Sequence, residues 1–184
     1  MKKTQTKKTT NIVFAAMFLA ISYVLPFLTG QIPDIGNALL PMHLPVLICG
    51  YVCGGPWGLL VGIVAPLLRS LTLGMPQLYP RAIAMAFELG AYGFFTGTMY
   101  KLLPKKKIFI YVSLLASMVI GRLVWGLAQF ILLGFDTEAF GLVYFFTEAV
   151  TKAIPGIILQ IVLIPAIIML IDYKRKKENR NETP

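Results

Sequence analysis

The chain has 184 residues, of which 57% are hydrophobic and only 14% are charged. A mean hydropathy of +0.75 excludes an ordinary water-soluble domain and favours an integral membrane protein. The formal net charge of +9 would indicate nucleic-acid binding in a soluble protein, but here the basic residues flank apolar stretches. We therefore interpret the charge as a topology signal and as contact with anionic lipid of the bilayer, and we expect no nucleic-acid partner.

Thirteen of the 17 basic residues fall in three blocks, at the start, near the middle and at the end of the chain. The apolar sequence between the first two blocks is long enough for four membrane crossings, and that between the last two for two crossings. Because cytoplasmic flanks collect lysine and arginine, this pattern predicts both termini in the cytoplasm. The fold class expected is all-α: a compact bundle of six transmembrane helices, forming a single membrane domain over residues 1–184. The blocks comprise Lys2, Lys3, Lys7 and Lys8, then Lys101, Lys105, Lys106 and Lys107, then Lys174, Arg175, Lys176, Lys177 and Arg180.

The helices are expected, in chain order, at about 11–28, 40–53, 56–73, 80–100, 108–133 and 144–172. The segments after helices one and five lack basic residues, as outside loops would, and the Gly54-Gly55-Pro56 turn is expected inside. Cys49 and Cys53 lie four apart on one helix and are interpreted as small buried hydrophobes.

Small residues at four-residue spacing indicate close helix packing. They are Gly50, Gly54, Gly58 and Gly62, then Ala82, Ala86 and Gly90, then Gly93 and Gly97.

Several charged and polar side chains are predicted at one depth, in the outer half of the bundle. A charge in hydrocarbon costs about 2.5 kcal/mol or more on insertion scales, so such a group usually faces a shared cavity. Four basic residues against two acidic ones leave a surplus of +2, which favours a ligand with a carboxylate or a phosphate. The alternative is a set of structural ion pairs, Glu148 with Lys152 and Glu88 with Arg122 or Arg81. The candidate binding residues are Asn37, His43, Arg69, Arg81, Glu88, Arg122, Trp125, Gln129, Tyr144, Glu148 and Lys152.

Enzymatic chemistry has little support in the sequence. His43 is the single histidine and has no partners for a zinc site or a catalytic triad, so its default role is a hydrogen bond that anchors a loop. A P-loop, a Gly-x-Ser-x-Gly turn and a His-Glu-x-x-His motif are all missing from the sequence. We expect no catalytic residues, no metal and no cofactor, and any ATP hydrolysis is expected in partner subunits.

Three stretches resemble the substrate-binding S components of bacterial energy-coupling factor (ECF) transporters. They are PMHLPVL at 41–47, GGPWGLLVG at 54–62 and PLLRSLTLGMP at 66–76. The likeness extends over all six expected helices: their lengths, their order and the charged inside loop resemble those of the family. Ala16 and Ala20 on helix one match the Ala-x-x-x-Ala motif by which this family docks onto its transmembrane coupling subunit.

The resemblance implies a multi-pass protein of the bacterial plasma membrane that binds a water-soluble vitamin from outside. The vitamin would be delivered through the shared coupling subunit and two cytoplasmic ATPases, with the S component toppling in the membrane. Pantothenate is the best candidate, since the positive surplus would hold its carboxylate at Arg81 or Arg122. Pyridoxine and pyrimidine precursors of thiamine are the alternatives within the family.

Two classes outside the family stay open at this point. A stand-alone secondary transporter would be expected to show an internal repeat, and residues 1–100 and 101–184 show none that aligns. A small membrane enzyme acting on lipid phosphates would use Glu88, Glu148 and Arg122. Such enzymes normally gather acidic or histidine residues at the cytoplasmic interface, whereas the polar group here is predicted outward.

Overall fold

A computed structural model describes residues 2–29, 38–104, 106–135 and 141–181, and most of these residues are helical. A 3-10 turn at Leu25–Thr29 follows the first helix. Single π-helical turns at Leu78–Ala82 and Thr147–Thr151 precede the fourth and seventh helices. The helices are α1 (Lys2–Val24), α2 (His43–Cys53), α3 (Gly55–Leu73), α4 (Ile83–Leu102), α5 (Lys107–Leu132), α6 (Leu142–Phe146) and α7 (Ile154–Asn181).

The last expected helix differs most from the structure. A single helix was expected over 144–172, but the structure divides it into α6, a π turn and α7, and α7 continues to Asn181. Pro155 explains the new start, because a proline lacks an N–H and is tolerated in the first turn of a helix but not in its interior. The divided segment forms one wall of the cavity described below.

Glycines bring α3 and α4 into backbone contact. A Cβ atom added to Gly58 would lie 2.5 Å from the Gly93 carbonyl oxygen, and one added to Gly62 would lie 2.3 Å from the Leu89 carbonyl oxygen. Both distances are shorter than real Cβ contacts, so only glycine permits this approach. Gly54, with φ of 96°, forms the turn between α2 and α3. The four-residue spacing of small residues therefore corresponds to close helix packing.

The short helix α2 lies at the centre of the bundle. Nine of its 11 residues are buried, and it packs against α1, α3, α4 and α7. At 1.5 Å per residue it extends about 16 Å, roughly half the thickness of a bilayer's hydrocarbon core. Because α2 is enclosed by protein, its polar His43 is held away from lipid at the start of a buried helix.

Four helices among the described residues are long and apolar enough to cross a bilayer. They are Lys8–Leu28, Gly55–Leu73, Lys107–Leu132 and Ile154–Lys174, whereas His43–Cys53 and Leu142–Thr151 are apolar but shorter. The helix α4 has 20 residues, with Glu88 buried within it. A multi-pass membrane protein is therefore confirmed, while six crossings and the orientation of the termini stay predictions.

Contacts between helix ends bring the basic blocks together. Asn11 Nδ2 donates to the Cys53 carbonyl oxygen over 3.3 Å, which places the first turns of α1 beside the end of α2. The Tyr100 hydroxyl donates to Asp172 Oδ2 over 2.5 Å, which joins the end of α4 to α7. We call this the basic end of the bundle, and it carries Lys8, Lys101, Lys106, Lys107 and Lys174.

Candidate functional site

A polar cavity of about 100 Å³ lies at the end of the bundle opposite the basic end. Four parts of the chain form its wall: the start of α2, the first half of α4 with its preceding π turn, the second half of α5, and the segment 141–153. Since it lies between helices rather than on one surface, its residues are far apart in sequence. It is lined by Leu40, His43, Pro76, Arg81, Met85, Glu88, Arg122, Trp125, Gln129, Tyr144, Glu148 and Lys152.

The lining includes nine of the eleven side chains that the sequence selects as binding candidates. Asn37 lies outside the described residues. Arg69 is described but is not part of this wall. The structure thus places most of the predicted group around one cavity, on three helices and the segment that precedes α7.

Arg69 has a different environment from the cavity residues. It is 4% exposed, its Nη1 donates to the Tyr23 carbonyl oxygen over 2.8 Å, and its guanidinium carbon lies 5.0 Å from the centre of the Phe27 ring. A cation that binds a carbonyl in the last turn of a helix satisfies an acceptor with no partner within the helix. Arg69 therefore anchors the end of α1. Without it, the three basic and two acidic side chains around the cavity leave a surplus of +1.

Glu88 joins three helices at the base of the cavity. Its carboxylate is almost completely buried, with Oε1 2.9 Å from Arg122 Nη1 and 3.4 Å from His43 Nε2. Tyr92, one turn further along α4, lies beside the same carboxylate and packs its ring against His43 with 5.3 Å between centres. A buried carboxylate persists only with such partners, so Glu88 fixes the positions of Arg122 and His43.

Sequence reasoning missed Tyr92 and three apolar lining residues. Tyr92 follows Glu88 by four positions on α4. Residues at this spacing lie on the same face of a helix, so the spacing itself indicates that Tyr92 lies next to Glu88. Leu40, Pro76 and Met85 contribute apolar surface to the wall. They carry no charge, so nothing distinguishes them in sequence from the other apolar residues of a membrane protein.

Several polar atoms around the cavity have no hydrogen-bond partner among the described residues. They are Nε and Nη2 of Arg122, Nδ1 of His43, and Oε1 of Gln129. Leaving a buried donor or acceptor unpaired costs about 1–3 kcal/mol, and more when the group is charged. A bound molecule with complementary groups would remove this cost. The cavity is therefore suited to a polar ligand.

A mostly apolar groove of about 1240 Å³ adjoins the cavity between α5 and the segment 141–152. Its walls share Tyr144, Glu148 and Lys152 with the cavity, and Lys152 and Glu148 form an ion pair there. The rings of Trp125 and Phe145 pack with 6.1 Å between their centres. The groove thus adds an aromatic and apolar surface next to the ionisable side chains of the cavity.

The predicted docking residues lie on α1. Ala16 and Ala20 are both exposed, whereas Ala15 and Phe18 on the opposite side of the helix are buried against the bundle. A strip of two small side chains one turn apart is thus available on the outer surface of the described structure. Such a surface permits close approach of a second helix.

Four membrane-length helices, together with a polar cavity that contains an ion pair, are the features of an integral membrane protein. Comparison with protein families gives a more specific result. The model of the ECF transporter substrate-specific component matches residues 10–168, so the chain belongs to this family. Comparison with curated proteins and with solved structures gives no match.

Proposed function

We propose that this protein is the S component of a bacterial ECF-type importer, which binds a water-soluble vitamin from outside the cell. Membership of the family supports the assignment to a substrate-binding subunit. The main structural support is the cavity into which three helices bring His43, Glu88 and Arg122. Delivery would proceed through a transmembrane coupling subunit and two cytoplasmic ATPases.

Pantothenate is the substrate that we propose first. It carries one carboxylate, which suits a cavity whose ionisable side chains leave a surplus of +1. Arg81 and Arg122 both line the cavity, and the second has donors that no described residue engages. Pyridoxine and pyrimidine precursors of thiamine are the alternatives, and they would have to bind without a carboxylate.

The proposed topology has six crossings with both termini in the cytoplasm of a bacterial cell. The basic residues at one end of the bundle support it, because such residues collect on the cytoplasmic side. The cavity lies at the other end, and in this orientation it would face outward. An outward cavity is what a component that captures vitamins from the medium requires.

Ligand identification on purified protein tests the proposed function. The full chain is purified in detergent, co-purified small molecules are identified by mass spectrometry, and vitamins are added singly in thermal unfolding measurements. A ligand at 1,000 times its dissociation constant stabilises the folded state by about 4 kcal/mol, so a true substrate gives a large shift. Failure of every vitamin to shift the unfolding temperature, with no uptake in cells that contain a coupling module, would reject the assignment.

A further inference from the structure

Arg122 offers two hydrogen-bond donors on one edge of its guanidinium group. Glu88 Oε1 engages Nη1 at 2.9 Å. The remaining Nε and Nη2 are buried and have no hydrogen-bond partner among the described residues. These two atoms point their N–H bonds in parallel, at the spacing of the two oxygens of a carboxylate. The side edge of Arg122 is therefore buried beside the cavity without the planar anionic partner that its geometry suits.

Gln129 adds an acceptor on the same face of α5. Its side chain is buried, and Oε1 has no hydrogen-bond partner among the described residues. Seven residues separate Gln129 from Arg122, which is two helical turns and about 10 Å along the helix axis. Trp125 lies between them and lines the same cavity. This face of α5 thus presents a donor pair, an aromatic wall and an acceptor in order.

On the basis of the function proposed above, we infer that the substrate is an elongated carboxylate that binds along α5. Its carboxylate contacts the Nε and Nη2 edge of Arg122, its apolar middle packs on Trp125, and a hydroxyl or amide N–H near its far end donates to Gln129 Oε1. The substrate class is thereby set by three properties of this face: the charge of Arg122, the shape of Trp125 and the hydrogen-bond direction of Gln129.

A phosphate ester or a neutral ring fits this arrangement less well. A phosphate carries up to two negative charges, whereas the ionisable side chains around the cavity leave a surplus of one positive charge. A neutral ring without two adjacent acceptors would leave Nε and Nη2 of Arg122 without hydrogen-bond partners in a buried site, which is costly. A molecule without a donor would leave Gln129 Oε1 unpaired. The carboxylate with a distant donor satisfies all three atoms.

Paired probes test this inference on the full-length protein in nanodiscs. Pantothenate is compared with pantothenol, which replaces the carboxylate by an alcohol, and biotin with biotin methyl ester. Dissociation constants are measured by calorimetry for the wild type and for the variants Arg122→Lys and Gln129→Met. Lysine keeps the positive charge beside Glu88 but lacks the planar edge, and methionine keeps the length of glutamine without its acceptor. Val119→Ala on the exposed face of α5 is the matched control.

The wild type is expected to bind at least one acid about tenfold or more tightly than its neutral partner. In Arg122→Lys the preference for the acid should fall to within about threefold. Gln129→Met should lower the affinity for the acid and for the neutral probe by a similar factor of about five- to tenfold, because both probes lose the same hydrogen bond. Val119→Ala should bind as the wild type does. The unfolding temperature without ligand shows that each variant is folded.

The outcomes separate this inference from the proposed function. Equal binding of the acid and neutral probes by the wild type overturns the inference, as does an acid preference that survives in Arg122→Lys. Tight binding of pyridoxine or another neutral vitamin alone also overturns it, while the S-component assignment stands. If no probe and no vitamin binds and uptake is lacking, the proposed function itself fails.

Discussion

Arg69 and Arg122 carry the same side chain in different surroundings. Arg69 binds the Tyr23 carbonyl at the end of α1, whereas Arg122 is paired with Glu88 at the base of the cavity. Both lie in the half of an apolar helix that is remote from the basic end, so the sequence pattern treats them alike. Their neighbours assign one to packing and the other to the candidate site.

Replacing each arginine in turn should affect a different property: stability for Arg69 and ligand binding for Arg122. Arg69→Gln should lower the free energy of unfolding by roughly 1.5–3 kcal/mol, the range for a hydrogen bond to a charged group, with ligand affinity unchanged. Arg122→Gln should weaken binding of an anionic substrate by a similar free energy. Thermal unfolding in detergent and calorimetric titration measure the two effects. Loss of affinity in Arg69→Gln at unchanged stability would contradict its assignment to packing.

Glu88 and Glu148 provide a second residue-scale comparison. Glu88→Gln should lower the free energy of unfolding by about 3–5 kcal/mol, because the buried Arg122 would lose its counter-charge. Glu148→Gln is the matched control. Its partner Lys152 is more than half exposed, so the loss should be about 0–1 kcal/mol. Similar unfolding temperatures for the two variants would show that the ion pair of Glu88 with Arg122 does not hold the helices together.

At the scale of elements, the contact between α3 and α4 depends on individual glycines. Gly93→Ala should destabilise the fold by about 1–3 kcal/mol, because its Cβ would lie 2.3 Å from backbone atoms of Gly58. Gly90→Ala on the same helix is the control, since the nearest atoms to its Cβ would be side-chain carbons of Ile63 and Leu59 at 3.1 and 3.2 Å, not backbone atoms. Unfolding in detergent measures both. Equal stability of the two variants would argue against backbone contact at Gly93.

The exposed strip on α1 makes a prediction about assembly. Replacing both Ala16 and Ala20 by tryptophan adds bulk to an exposed face, so ligand binding and the unfolding temperature in detergent should stay near normal. Co-purification with the coupling module and vitamin uptake should both be lost, because the partner helix could no longer approach. Normal uptake in the double variant would reject docking at this strip. Uptake in a host that lacks any coupling module would favour a stand-alone transporter.

At the scale of the whole molecule, labelling of single cysteines tests the proposed orientation. Cysteines at Lys106 and Lys174, both exposed at the basic end, should resist a membrane-impermeant thiol reagent in intact cells. A cysteine at Gln77, exposed in the turn before α4, should react. The wild type is the control, since Cys49 and Cys53 are buried and should stay unlabelled. Labelling of position 106 from outside would overturn the six-crossing topology.

The membrane class, the approximate helices and most of the candidate binding residues follow from the sequence alone. The physical reason is the high cost of a charge in hydrocarbon, which makes residues such as Glu88 and Arg122 conspicuous in apolar helices. Counting residues along a helix also gives their depth, so the convergence of His43, Gln129 and Lys152 at one end of the bundle could be anticipated.

Only the tertiary structure decides which side chains meet. Depth along a helix is linear in sequence, but the direction of a side chain and the identity of its neighbour depend on how helices pack. For this reason the sequence groups Arg69 with the cavity although Arg69 binds the end of α1, and it does not single out Tyr92 although Tyr92 lies beside Glu88. The free edge of Arg122 likewise exists only because α4 places Glu88 against Nη1, leaving Nε and Nη2 without a partner among the described residues.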